Sequence, residues 1–295
     1  MPKEYLATGL SGLVGSRLPQ LFPKDNFIDL SLDTGYDILK PQGLEEAFKN
    51  SKADTIFNFA AFTDTNASWL QRGDKTALCY QLNVVGAQNI INLCQKYQKN
   101  LVHISTDFVF DGTKDTAYTE KDTPNPIEWY GQTKYEAEKL VESSGLNYKI
   151  VRIAYPYRAH YPKKVDFVRK IIQKFKDREQ LHLFSDQITT TTFVDDIALG
   201  LIKLSDLPQS GLYHLVGSSS QSPYELALAI AAEFNFKSEL IQETSLETYI
   251  STQASDCRPW QKKLIISNQK FINDTGLTPK TLKEGLSLLR TQMNL

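Results

Sequence analysis

Glycines at positions 9, 12 and 15 fill the turn between a short apolar strand, Tyr5-Leu6-Ala7, and a helix expected over Leu13–Leu21. Each meets a different steric demand. Gly9 allows a tight turn, Gly12 lets backbone come close to a pyrophosphate, and Gly15 lets the helix pack on the strand. The helix N-terminus beyond them offers free N–H groups and a partial positive charge to phosphate oxygens. Three spaced glycines alone say little; at the first β–α turn of an alternating chain they point to a dinucleotide site. Ser11, Leu13 and Val14 lie in the same turn and join Gly9 and Gly12 as candidate cofactor contacts.

The alternation is present. Phe27–Leu30 reads as a second strand, Leu44–Lys49 as a short helix, and Thr55–Ala61 as a strand apolar enough to be covered on both faces. Leu78–Tyr97 carries Leu82, Val85, Ile90, Leu93 and Cys94 at helical spacing. Leu101–Ser105 is a fourth strand, Trp129–Ser143 a helix closed near Gly145, and Tyr148–Ile153 a further strand. Such an order predicts a doubly wound parallel α/β sheet with right-handed crossovers. After Tyr155 the rhythm changes. Helices are expected over 163–176, Val194–Leu204, 222–235 and 279–292, with strands at Leu181–Phe184 and Gly211–Val216, a Thr-rich loop at Thr189–Thr192, and a polar, poorly periodic stretch before the last helix. Residues 1–155 and 187–217 are therefore expected to form the dinucleotide-binding domain, and 156–186 and 218–295 a smaller substrate-binding α/β region.

With 41% hydrophobic residues the chain can build a core without disulfides or metals. Lys and Arg number 33 against 34 Asp and Glu, so no basic field gathers nucleic acid or an anionic membrane. Cys79, Cys94 and Cys257 form no CxxC pair and suit a reducing cytosol. Residues 1–20 lack a signal-peptide pattern, and no run reaches the ~18 apolar residues of a spanning helix. A cytoplasmic globular protein is expected. The four histidines show no metal-ligand spacing; His103 and His214, in apolar strands, read as hydrogen-bonded core imidazoles, and no metal is expected. Lys163, Lys164, Arg169 and Lys170 read as a solvated helix face.

Tyr130 and Lys134 stand four apart on one face of the helix after the fourth strand. A phenol with a pKa near ~10 is a poor acid–base group at neutral pH unless a nearby cation favours its phenolate. Lys134 would supply that cation while holding a cofactor ribose. Ser105-Thr106, ending the fourth strand, would add a hydroxyl that orients a substrate carbonyl. Hydride would come from a nicotinamide and the proton from Tyr130. Ligands of open α/β sheets lie outside the carboxyl ends of the strands, where these features converge. The choice between NADH and NADPH stays open. Asp29 lies 20 residues past Gly9 but in mid-strand, Ser31 or Asp33 competes for the deciding place, and Arg17 would welcome a 2′-phosphate.

Read in order, Thr8–Gly15, Asn58–Thr63, Ser105–Gly112, Tyr130–Lys134, Arg152–Tyr155, Asp186-Gln187 and Arg258-Pro259 resemble the motifs of the extended short-chain dehydrogenase/reductase superfamily, which has a Rossmann fold. Within it they are most similar to the dTDP-4-dehydrorhamnose reductase family. The resemblance implies an NAD(P)H-dependent reductase of a nucleotide-activated 4-keto-6-deoxysugar, with Tyr130 as proton donor and Lys134 and Thr106 assisting. It implies Gly12, Leu13 and Val14 at the pyrophosphate, Asp37 and Ile38 at the adenine, and Ala60, Ala61, Phe62 and Thr63 on the nicotinamide side. Asn83 matches an Asn on the helix behind the active site. Thr106, Asp107, Phe108 and Tyr155 fall on the sugar side, and Arg258 on a pyrophosphate it can grip bidentately. A homodimer is compatible with it. Asp64–Trp69, Thr189, Thr191 and Trp260–Lys263 depart from the family pattern in sugar- and nucleotide-facing parts, so reductase chemistry is better supported than the identity of the product. Two alternatives stay open: a sugar-nucleotide epimerase or dehydratase, though only Asp107 of the usual carboxylate pair is present, and a cofactor-binding regulatory subunit resembling the methionine adenosyltransferase β subunit.

Overall fold

A computed structural model describes residues 1–253 and 256–294. Five strands, β1 (Glu4–Thr8), β2 (Asn26–Leu30), β3 (Thr55–Asn58), β4 (Asn100–Thr106) and β5 (Tyr148–Ile153), join Gly211–His214 in one six-stranded sheet. Across it the order is Gly211–His214, β5, β4, β3, β1, β2. β1 pairs in parallel with β2 and β3, and β3 in parallel with β4. The chain steps outward from β1 to β2, then returns to build on the other side from β3, so the strand order reverses between β1 and β3. That reversal opens the crevice in which doubly wound sheets hold ligands. β3 is buried along its whole length, as its apolar run predicts.

Two compact units divide the chain. The first comprises Met1–Asp111, Thr123–Arg152 and Ala198–Tyr213. Its core sets Leu6, Leu30, Ile56, Leu101 and Ile150 of the sheet against Leu44, Phe48, Ile90 and Val141 of helices Pro41–Asn50, Gly86–Tyr97 and Trp129–Glu142. The second comprises Gly112–Asp122, Ile153–Ile197 and the chain from His214 onward. It has its own core of Ile171, Phe175, Leu226, Ile230, Leu286 and Leu289, from helices Phe167–Lys176, Pro223–Phe234 and Leu282–Gln292. Residues 187–197 and 214–217 cluster with this second unit.

Several elements differ from the sequence expectation. The first helix is a 3-10 turn, Gly15–Arg17, followed by one α-helical turn, Leu18–Leu21, with Pro19 at its start. β3 stops at Asn58, beyond which the chain bends beneath Gly9. The helix expected over 163–176 begins at Phe167, because the Asp166 carboxylate caps the Arg169 amide at 3.0 Å. Within Leu78–Tyr97 the residues Gln81–Val85 open into a π-helical turn, a form frequent at functional sites. The polar stretch before the last helix holds strand Ile241–Thr244, parallel to Leu181–Phe184, and helices Leu246–Ser251 and Gln269–Thr275. Among the described residues no helix is long and apolar enough to cross a membrane, and no group of three or more potential ligands gathers at a metal site.

Candidate active site

The glycine turn separates two jobs. Gly9 has φ +60°, and a Cβ there would stand 2.8 Å from the Ala60 amide nitrogen. A Cβ on Gly15 would stand 2.8 Å from the Leu10 carbonyl. Both glycines are demanded by the fold itself. Gly12 closes the turn by donating to the Gly9 carbonyl at 3.0 Å, and a Cβ there meets only that oxygen, at 3.1 Å. Gly12 is thus less crowded than its two neighbours in the motif. Beside it the Ser11 amide donates to the Ser31 hydroxyl at 3.2 Å, and Ser31 in turn bonds the Asp29 carboxylate. Leu13 is half-buried and Val14 buried. Asp37 accepts from the Leu39 amide at 2.9 Å, while Ile38 is buried against Gly86, whose missing side chain gives it room.

Asn83 sits in the π turn and ties three segments together. Its Oδ1 accepts from the Phe62 amide at 2.8 Å, and its Nδ2 donates to the Phe62 carbonyl at 3.2 Å and the Thr133 hydroxyl at 2.9 Å. The segment Ala60-Ala61-Phe62-Thr63 is thereby fastened to the helix that carries Tyr130 and Lys134. Next to it Asp64 caps helix Thr65–Leu70 through the Asn66 and Ala67 amides, which explains the departure from the family pattern there.

Helix Trp129–Glu142 begins on a buried carboxylate. Glu128 accepts from the Tyr130 amide at 2.9 Å and the Gly131 amide at 2.5 Å. Gly131 lets the helix press against the 3-10 turn Asp107–Val109, since a Cβ on it would lie 2.2 Å from the Phe108 carbonyl. Tyr130 and Phe108 meet edge to face with centroids 6.0 Å apart. Burial raises the pKa of the Tyr130 phenol and Thr106 opposes it, while Glu128 and Asp107 raise it further. The phenol is thus held protonated, a donor in its resting state. Thr106 caps the 3-10 turn, its hydroxyl accepting from the Phe108 amide at 3.2 Å and donating to Asp107 Oδ1 at 3.1 Å. Asp107 Oδ2 is buried without a partner, and burial pushes this carboxyl up to about 7.

Strand alternation separates the two hydroxyls at the end of β4. Ser105 points to the opposite side and bonds Glu138, whose carboxylate also takes Arg152 at 2.9 and 2.6 Å. The Arg152 guanidinium lies 5.0 Å from the centre of the Phe110 ring. Lys134, one turn before Glu138, is 3% exposed, and burial lowers its pKa to about 8 against the pull of Glu138 and Cys79. Its Nζ stands 3.5 Å from His103 Nε2. Sequence reasoning placed His103 in the core but did not connect it to Lys134, and it missed Glu128 and Glu138. The signal was there: Glu138 follows Lys134 at i+4, and His103 and Ser105 share one face of β4.

The second unit holds the remaining candidates. Tyr155 takes φ 37°, a left-handed conformation rare for an aromatic residue, and meets Phe167 edge to face. Arg258 is 8% exposed, its guanidinium 4.3 Å from the centre of the Trp260 ring, which also meets Phe184 and Tyr249. Asp186 caps helix Leu246–Ser251 through the Leu246 amide at 2.6 Å, and Gln187 donates to the Gln261 carbonyl at 3.0 Å. Thr189–Thr190 pairs antiparallel with Ser220–Gln221, so the departure there serves a small β ladder.

Comparison with known proteins places the chain in a family. The model of the RmlD substrate binding domain family matches residues 3–294. A dTDP-4-dehydrorhamnose reductase of Aggregatibacter actinomycetemcomitans is 30% identical over 238 residues, 78% of this chain and 79% of that protein. The spore coat polysaccharide biosynthesis protein SpsK of Bacillus subtilis is 28% identical over 284 residues, covering 96% and 95% of the two chains. The crystal structure of a dTDP-4-dehydrorhamnose reductase from Bacillus anthracis in complex with NADP shares 26% identity, with a TM-score of 0.88 over 99% of this chain and 100% of that one. With its glycine turn, its Tyr130–Lys134 helix and a family match over nearly its whole length, the chain belongs to the RmlD family of extended short-chain dehydrogenase/reductases.

Proposed function

We propose that the protein reduces the ketone of a nucleotide-activated 4-keto-6-deoxysugar, dTDP-4-dehydrorhamnose by likeness to its relatives, at the expense of NADH or NADPH. The observation that carries this reading is a protonated, half-buried phenol on the same helix face as a buried lysine, beside a strand-end threonine hydroxyl. Gly12, whose missing side chain meets only the Gly9 carbonyl, is assigned to a dinucleotide pyrophosphate, which Ser11, Leu13 and Val14 would flank. A nicotinamide dinucleotide bound there supplies the hydride. Asp37 and Ile38 are assigned to its adenine side, and the segment Ala60–Thr63, fastened by Asn83, to its nicotinamide side.

Tyr130 gives its proton to the ketone oxygen as negative charge develops there. Lys134, with its pKa lowered to about 8, is mostly an ammonium at neutral pH and offsets the charge left on the phenolate. Thr106 holds the carbonyl in line, and Asp107 and Phe108 flank the sugar. In the second unit, read as substrate-binding, Tyr155 is assigned to the sugar and Arg258 to the diphosphate. A single carboxyl after Thr106, followed by Phe108, does not favour the dehydratase chemistry that uses an acidic pair. Three free cysteines suit a reducing cytosol as the place of action.

The test follows NADH and NADPH absorbance with a panel of dTDP-, UDP- and GDP-linked 4-keto-6-deoxysugars. Tyr130→Phe should lower turnover at least about 100-fold while the reduced cofactor still binds. Near-wild-type turnover in that variant would defeat the assignment, and absence of turnover with every ketosugar would favour a regulatory role.

A further inference from the structure

A row of buried polar side chains crosses the first unit. Thr8 on β1 stands beside Asn58 on β3, and Asn58 beside His103 on β4. Parallel register turns these neighbours to one side of the sheet. The Thr8 hydroxyl lies 2.6 Å from Asn58 Oδ1, Asn58 Nδ2 lies 3.2 Å from His103 Nδ1, and His103 Nε2 lies 3.5 Å from Lys134 Nζ. Thr8, Asn58, His103 and Lys134 are each no more than 3% exposed.

Donor and acceptor counting allows this row two directions. An ammonium has three donors and no acceptor, whereas a neutral imidazole has one of each. When Lys134 is charged it donates to His103 Nε2. The imidazole proton is then on Nδ1 and goes to Asn58 Oδ1, and the Asn58 amide, turned over, donates to Thr8. When Lys134 is neutral its lone pair accepts from His103 Nε2–H. Nδ1 then accepts from Asn58 Nδ2, and the Thr8 hydroxyl donates to Asn58 Oδ1. The two states differ by one proton, carried on Lys134. His103 is neutral in both, since burial holds its pKa well below the usual imidazole value, helped by Lys134 while that lysine is charged.

Resting on the functional reading above, we infer that His103 is a positioning residue for Lys134, and that its tautomer, relayed to Asn58 and Thr8, follows the proton on that lysine. The other groups around Lys134 do not replace it. Glu138, on the same helix, has its oxygens taken by Arg152 and Ser105. Cys79 is engaged with Thr133 and Asn83 at 3.7 Å. Tyr130, one turn earlier, lies among Thr106, Glu128 and Asp107, which with burial set the proton affinity of its phenol. Among the described residues the hydrogen bond of Lys134 Nζ is the one to His103, an imidazole that can accept or donate.

Long-range ¹H–¹⁵N spectra of protein labelled at its four histidines test this without any turnover. Between about pH 6 and 10, His103 should stay neutral and exchange its Nδ1–H form for its Nε2–H form as Lys134 loses its proton. The exchange should vanish in Lys134→Met. A His103 spectrum that does not change over this range, or that changes equally in Lys134→Met, overturns the inference. In kinetics, His103→Leu should move the alkaline limb of kcat/KM down by about one pH unit, a tenfold change in proton affinity, and His103→Gln should restore most of it. A uniform fall in kcat with the limb unmoved means a packing role only and also overturns it. If Tyr130→Phe keeps its turnover while the spectra behave as stated, the functional reading fails, and with it the positioning role, while the coupling of the His103 tautomer to Lys134 stands.

Discussion

Replacing Asp107 with asparagine should make the protein more stable at pH 8 and leave its stability at pH 4 nearly unchanged. Asp107 is 2% exposed, one oxygen has no partner, and Glu128 adds like charge nearby. Burial lifts the carboxyl from 3.8 to about 7, so the folded protein holds this proton where the unfolded chain has released it. The stability it contributes is complete below pH 3.8 and is lost as pH rises towards 7. A shift of roughly three units at about 1.36 kcal/mol each amounts to ~4 kcal/mol. Asparagine has the same shape, still accepts from Thr106 and never ionises, so the variant has no such loss. Urea unfolding at half-unit steps from pH 4 to pH 8 measures both curves. The difference between them should grow from near zero to a few kcal/mol and then level off above pH 7. Two parallel curves would show that the carboxyl ionises in the fold without penalty and would refute the assignment of its environment.

The glycines and the buried ion pair give further expectations. Gly9→Ala and Gly15→Ala should each destabilise by about 1–3 kcal/mol in thermal or urea unfolding, because the new Cβ strikes backbone at 2.8 Å. Gly12→Val should lower the melting temperature less than those two changes, since its Cβ meets only the Gly9 carbonyl at 3.1 Å, while nucleotide binding, followed by calorimetry, is lost; unchanged affinity would remove Gly12 from the site. Arg152→Leu should destabilise by about 3–5 kcal/mol by leaving Glu138 buried and unpaired, and Glu138→Leu added to it should recover most of that. A double variant no better than the single would show that the loss comes from packing around Arg152 and not from an uncompensated Glu138 carboxylate.

What could be read from the sequence was what repeats or what sits at fixed spacing. The turn at Gly9, Gly12 and Gly15 was legible because strand, turn and helix follow in order, and β5 because Tyr148–Ile153 carries apolar residues to its end. Strand Ile241–Thr244 was not, since only Ile241 of its four residues is buried and its pairing comes from Leu181–Phe184, sixty residues earlier. In the site, Tyr130 and Lys134 were visible as an i, i+4 pair, but burial reversed one expectation. The phenol was expected to be acidified by the lysine; desolvation dominates instead and keeps it protonated. Desolvation depends on what packs around a group, and no spacing rule reports it. His103 escaped for the same reason, because its link to Lys134 crosses from strand to helix, 31 residues along the chain.

The placement of Tyr130 follows from a match of two periods. Residues two apart on a strand lie about 6.6 Å from each other, and residues four apart on a helix about 6 Å. His103 and Ser105 on β4 therefore meet Lys134 and Glu138 on helix Trp129–Glu142 side by side. Those two contacts fix the helix's rotation about its axis. The 2.2 Å that a Cβ on Gly131 would leave to Phe108 O fixes how closely its first turn approaches the Asp107–Val109 turn, and Glu128 fixes where it starts. Rotation, approach and starting point are each set by a different contact, so the phenol's position owes nothing to loop flexibility. A reacting group held on packed secondary structure is placed more narrowly than one on a loop. The even-numbered side chain at the strand end, Thr106, is by the same alternation turned away from the anchoring face. One strand thus secures the helix with its odd positions and sets its last hydroxyl beside the phenol.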